Sequence, residues 1–346
     1  MTAPNQSIVI HAAHDLRIEA RDVPTPAAGE VLVEMQAGGI CGSDLHYYNH
    51  GGFGPIQLRE PMVLGHEVSG RIAALGEGVD GLHVGQLVSV SPSRPCQACT
   101  YCLRGQQNHC MNMRFYGSAM PFPHIQGAFQ QRLVAQASQC VPADGLTPAQ
   151  AAMAEPLAVC LHAIRQAGDM VGKTVLITGC GPIGCLSILA ARRAGAATII
   201  ATDLSDYTLA LARSCGADHA LNTAMQSEAL GPYQTDKGQI DVHLECSGAA
   251  PALASGVACL KPGGMLVQLG LGGDMTVPMQ AMTAKEITLR GSFRFHSEFA
   301  TAVAMMQSGL IQVDPLITHS FAISDCVNAF ETASDRSRAM KVQLVF

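Results

Sequence analysis

Between Thr174 and Gly270 short apolar runs alternate with helical stretches, and this alternation restricts the fold more than any other feature of the chain. The series runs Thr174–Thr178, Pro182–Ala194, Thr198–Asp203, Ser205–Cys215, Ile240–Cys246, Pro251–Leu260 and Met265–Gly270. Runs that are apolar throughout suit strands buried on both faces, and the helices between them supply the crossovers of a parallel sheet. A doubly wound α/β unit is the expectation. Inside it lies Gly179-Cys180-Gly181-Pro182-Ile183-Gly184, a G-x-G-x-x-G string. In a chain with 35 glycines such a string means little by itself. Its setting gives it weight: a strand precedes it, a helix follows, and Asp203 closes the next strand nineteen residues after Gly184. Glycines there allow a tight turn and close approach to a pyrophosphate, whose charge the helix N-terminus attracts. Asp203 would accept hydrogen bonds from ribose hydroxyls and repel a 2′-phosphate. Leu204-Ser205-Asp206 places no arginine beside it, so NAD is expected over NADP.

The first 150 residues have a different texture, rich in Gly and Pro, with short β-type runs at Ile8–Ile10, Val31–Met35 and Val68–Ile72. They read as a small irregular β domain, and Thr147 to Ala163 as a helical junction. Within the β region sits Cys96-x2-Cys99-x2-Cys102-x7-Cys110. Four thiolates at this spacing can close a tetrahedral shell around zinc with no open position, a site that serves folding rather than catalysis. The spacing is only loosely that of an iron–sulfur protein, and no proline follows Cys110. Cys180, Cys185 and Cys215 lie in apolar surroundings where a thiol packs as a small hydrophobe. Thirteen cysteines, an odd number with no export signal ahead of them, do not resemble a disulfide framework; a reducing compartment, the cytoplasm, is expected. A net charge of −6 without a basic cluster argues against a nucleic-acid partner, and no apolar run is long enough for a membrane span. The 346 residues suit two domains.

A second group of metal-type residues is dispersed: Cys41 in Gly39–His46, His66 and Glu67 in Gly65-His66-Glu67, and Glu155 in Ala154-Glu155-Pro156. Spacing does not join them, and an isolated Cys or His more often serves packing than ligation. These strings, with the four-cysteine loop, Ala154–Ala158, Gly179–Gly184 and Glu245-Cys246-Ser247-Gly248, resemble the zinc-containing medium-chain alcohol dehydrogenases over essentially the whole chain, specifically their polyol branch. Gly38–Tyr48, Met113–Met120, Leu289–Phe295 and Lys341–Phe346 are similar to the members of that branch that oxidise L-idonate.

The resemblance implies a Rossmann sheet inserted in a GroES-like irregular β catalytic domain, with bounds at 1–152, 153–291 and 292–346, the last segment returning to the catalytic domain. It implies two zinc ions, one catalytic and one structural. Cys41 and His66 would hold the catalytic ion, with Glu67 or Glu155 completing the shell and a position left open for substrate. Ser43 and His46 would relay the proton, with Glu155 counted among the catalytic residues. Gly179, Gly181, Pro182, Ile183, Gly184, Asp203, Leu204, Ser247, Leu269, Phe293 and Arg294 would line the NAD site. Tyr47, Arg114, Phe115, Glu155 and Arg294 are the substrate candidates, because a sugar acid needs a guanidinium to grip its carboxylate. The implied reaction is reversible oxidation of the C5 alcohol of L-idonate to 5-keto-D-gluconate. A neutral polyol such as sorbitol or xylitol is the alternative, and a non-catalytic zinc-free relative a remoter one. The branch also implies a homo-oligomer, usually a tetramer.

Overall fold

The computed structural model describes residues 4–226 and 228–346. An antiparallel pair, β1 (Asn5–Ala12) and β2 (Asp15–Arg21), lies beside a larger sheet. At the centre of that sheet is β3 (Glu30–Gly39), in which Val31, Val33 and Met35 are buried while Glu34 is exposed, the period-two pattern of a strand with one wet face. Helix α1 (Gly42–His50) follows β3 directly. Antiparallel to β3 on one side runs β4 (Glu67–Leu75), then β5 (Leu87–Val90); on the other side is β6 (Arg132–Gln136), while β7 (Cys140–Pro142) extends the sheet beyond β5.

Helix α2 (Ala154–Ala167) leads into the second sheet. Its elements are β8 (Thr174–Thr178), α3 (Pro182–Arg193), β9 (Thr198–Asp203), α4 (Asp206–Ser214), β10 (His219–Asn222), β11 (Ile240–Glu245), α5 (Ala250–Cys259), β12 (Leu260–Gln268) and β13 (Thr288–Gly291). The strand order is β10-β9-β8-β11-β12-β13, all parallel, so the build direction reverses between β8 and β11. Both faces are covered. Val175, Ile177, Ile199 and Ala201 enter one core, while Leu176, Ile200 and Leu266 enter another. This is the doubly wound α/β fold expected from the apolar runs, and its ligand crevice belongs at the strand C-termini where the order reverses.

The last segment is shared between the two halves. Helix α6 (Glu298–Gln307) packs on α2, and its Phe299, Ala302 and Val303 join the core that holds Val175 and Ile177. The strands β14 (Ile317–Ala322) and β15 (Lys341–Val345) instead complete the first sheet, β15 pairing with the end of β3. Among the described residues no helix is long and apolar enough to cross a membrane.

Candidate metal centre and coenzyme crevice

Chain pairing assembles what spacing could not. Gly39 lies opposite Glu67 in the β3–β4 ladder, so the two strand ends bring Cys41, the N-cap of α1, beside His66 and Glu67. A side chain at Gly39 would collide with the Glu67 carboxylate. One ligand atom from each of Cys41, His66 and Glu67 lies within 4.8 Å of the others. Glu155 arrives from the first turn of α2, and its charge is felt by both Cys41 and Lys341. Burial pushes the Cys41 thiol and the Glu155 carboxyl well above their ordinary values, each further raised by Glu67. His66 Nδ1 is buried without a hydrogen-bond partner, 3.7 Å from Asp44 Oδ1. A half-buried thiol with a buried imidazole and a buried carboxylate forms a donor set that a dication would stabilise in its deprotonated state. The residues present fit zinc.

Two buried residues outside the expected set hold this centre. Asp44 accepts from the N–H of Cys41 at 3.0 Å and of Gly65 at 3.2 Å, tying the two ligand-bearing segments together. Lys341 at the head of β15 donates to both Glu67 oxygens, at 2.7 and 2.9 Å, and to the Ile40 carbonyl at 3.3 Å. Burial depresses the lysine, but the Glu67 charge and hydrogen bond, with the charges of Cys41 and Glu155, together outweigh it and hold the ammonium above its usual value. A lysine at the head of an apolar strand was the available signal, since such a residue needs a carboxylate partner.

Ser43 and His46 lie three residues apart on α1, the spacing that shares one helix face, and both are half-buried. The His46 ring leans on Phe53, and burial lowers its pKa, favouring the neutral imidazole. Tyr47 is buried, its Oη accepting from the Ala119 N–H at 3.0 Å. The Phe115 ring lies 5.6 Å from that of His66. Adjacent strand residues point to opposite sides, so Arg114 is exposed. Arg294 stands instead over the Phe115 ring, 4.4 Å from its centroid, and its charge reaches Glu155 and Tyr47.

The four cysteines Cys96, Cys99, Cys102 and Cys110 bring their sulfurs within 4.8 Å of one another, and all are unpaired thiols. The backbone N–H groups of Ala98 and Cys99 hold the Cys96 thiol down at about 6. Cys110 Sγ also accepts from the Cys96 N–H at 3.2 Å. Prearranged donors to sulfur favour thiolates, and this set too fits a metal ion.

At the reversal point of the second sheet, Gly179 takes a left-handed φ of 83°, and a Cβ at Gly184 would strike the Gly179 carbonyl. Gly181 caps α3, with Pro182 at its first position and Ile183 next. Asp203 Oδ2 accepts from the Cys180 N–H at 2.6 Å, and Oδ1 from those of Leu204 and Ser205 at 2.7 and 3.0 Å. The aspartate therefore also braces the glycine turn, and each oxygen retains acceptor capacity. Across the crevice, Glu245 accepts from the N–H and hydroxyl of Ser247 and from Gln268 Nε2. Its backbone carbonyl takes the Leu269 N–H at 2.9 Å. Phe293 is exposed beside this opening.

Comparison with known proteins agrees with this geometry. Residues 27–145 match the family described as alcohol dehydrogenase GroES-like domain, and residues 182–308 the one described as zinc-binding dehydrogenase. The chain belongs to the zinc-binding alcohol dehydrogenase family and is an oxidoreductase. It is 42% identical over 352 residues to the L-idonate 5-dehydrogenase (NAD(P)(+)) of Escherichia coli (strain K12), covering 100% of both chains. Identity to the sorbitol dehydrogenase of Bos taurus is 36% over 349 residues, covering 98% of this chain and 96% of that one. The crystal structure of L-idonate 5-dehydrogenase from Escherichia coli matches with a TM-score of 0.96 at 41% identity, covering 100% of this chain and 99% of that one.

Proposed function

We propose that the chain interconverts L-idonate and 5-keto-D-gluconate with NAD, using one zinc at the Cys41 centre and a second at the four-cysteine lobe. The observation that carries the sugar-acid reading is Arg294, a guanidinium held over Phe115 whose charge reaches Glu155. Two parallel hydrogen bonds from it would grip the substrate carboxylate. Cys41 and His66 would hold the catalytic metal. Glu67, whose carboxylate lies within 4.8 Å of the Cys41 and His66 donor atoms, or Glu155 would complete the shell, the Lys341 bonds leaving acceptor capacity on both Glu67 oxygens. Bound zinc supplies the Lewis acidity that lowers the pKa of a substrate hydroxyl, and NAD the acceptor for its hydride. Ser43 would accept a hydrogen bond from the substrate hydroxyl and give up its own proton as it takes the substrate's, and His46, kept neutral by burial, would carry that released proton toward solvent. Tyr47 and Phe115 shape the pocket wall, and the exposed Arg114 is the second candidate for the carboxylate. Asp203, followed by no basic residue, favours NAD.

The test is a substrate panel followed by NADH absorbance. L-idonate with NAD, and 5-keto-D-gluconate with NADH, are expected to be turned over at least tenfold better than sorbitol or xylitol, with NAD preferred to NADP. Turnover confined to sorbitol or xylitol would overturn the sugar-acid reading and favour the neutral-polyol one, which the 36% identity to a sorbitol dehydrogenase supports. Arg294→Ala should raise KM for idonate more than for sorbitol, and Arg114→Ala should not. We also propose a cytoplasmic homotetramer, on the thirteen unpaired cysteines and on the edge strand β13, all four of whose residues are exposed. Sedimentation would test the assembly.

A further inference from the structure

We propose that Asn108, inside the four-cysteine lobe, is a positioning residue for Arg294, so that the closed metal lobe helps to set substrate affinity as well as stability. The proposal rests on the assignment of Arg294 to the substrate made above. Arg294 adopts φ of 56°, a left-handed conformation that costs any residue bearing a Cβ and is held here by its neighbours. The neighbours are identifiable. On the C-terminal side, Phe295 is buried and stacks on Phe299 of α6 at 5.7 Å. On the N-terminal side, the Ser292 N–H donates to the Gln268 carbonyl at 2.9 Å. Between them, Asn108 Nδ2 donates to the Phe293 carbonyl at 3.1 Å. That carbonyl belongs to the rigid peptide plane leading into Arg294, so fixing it fixes one side of the Arg294 φ rotation. Asn108 is itself buried, on the short turn Gln107–His109 that runs into the ligand Cys110. The neighbouring His109 stacks on the Phe293 ring at 6.3 Å with 20° between planes. The guanidinium ends over Phe115 and Phe293, within 3.6 Å of Met120 Sδ. The lobe thus grips the loop at the one peptide whose orientation aims the arginine.

The experiment is a double-mutant cycle on the metal-loaded enzyme, with L-idonate and NAD. Asn108→Ala, and Asn108→Asp, which keeps the size but removes the donor, should each raise KM for L-idonate roughly five- to tenfold. Turnover number and NADH dissociation constant should stay within about twofold, and metal content should be unchanged. In an Arg294→Ala background the same substitutions should add nothing to KM. If Arg294→Ala raises KM but the Asn108 variants do not, the coupling is overturned while the substrate role of Arg294 stands. If Arg294→Ala leaves KM unchanged, the substrate reading itself fails and the proposal with it. Loss of metal, or an equal effect in both backgrounds, would make Asn108 a scaffold residue and overturn the proposal.

Discussion

The two metal-type clusters are built in opposite ways. The four cysteines come from one fifteen-residue loop, Cys96 to Cys110, and their donors are alike and closed on themselves. The Cys41 centre draws on the end of β3, the start of β4 and the first turn of α2, and mixes a thiol, an imidazole and carboxylates. One is local and saturated; the other is assembled by tertiary structure and needs buried helpers, Asp44 and Lys341, to hold it. On the proposed function, the difference separates a cluster whose worth is mainly conformational from one whose geometry serves a reaction.

The largest effect should come from the open centre. His66→Ala is expected to lower kcat/KM by roughly 10³-fold while the melting temperature moves by only a few degrees. A loss below tenfold would break the comparison. The reverse signature belongs to Cys99→Ser, which should remove one metal per chain and cost on the order of 4 kcal/mol in denaturant unfolding. Unchanged stability would show that the lobe is not a folding element. Lys341→Met sharpens the contrast by leaving the Glu67 charge buried and unpaired. About 3 kcal/mol of destabilisation is expected, largely recovered in the Lys341→Met, Glu67→Gln double variant; no recovery would deny the pair its role.

The smallest effect concerns acid. Burial raises the Glu298 carboxyl, but the His162 bond at 3.1 Å and the His296 N–H outweigh it and hold the group at about 2. Its folded value is depressed, so its contribution is complete above the unfolded value near 4.5 and disappears as pH falls through about 2. Glu298→Gln should cost about 2 kcal/mol at pH 7, with the deficit closing between roughly pH 4.5 and 2. A deficit independent of pH would contradict this origin. Activity lost at higher pH than this window would then reflect the metal centre rather than the α2–α6 junction.

The sequence disclosed what is local. Strand β8 was legible residue for residue because its Val175-Leu176-Ile177 centre is apolar, its ends are β-favouring threonines and it is bounded by Lys173 and Gly179, and the four-cysteine loop because its spacing is its geometry. The convergence of Cys41, His66, Glu67 and Glu155 rested on family likeness. No periodicity announces that Gly39 pairs with Glu67. Lys341 and Asp44 escaped notice because their partners are distant in sequence or in backbone groups. The left-handed Arg294 escaped because nothing in Phe293-Arg294-Phe295 signals positive φ; the constraint is imposed from the metal lobe and from α6. The placement of helix α6 was not legible either, because it depends on the apolar face it shares with α2.

The most direct test is metal stoichiometry followed during timed chelation, with activity and melting temperature read on the same samples. The account predicts about two zinc ions per chain, the first removed abolishing turnover while the fold persists, and the second leaving only with loss of stability. One metal per chain, or activity that falls only in step with unfolding, would contradict the division between an open and a closed centre.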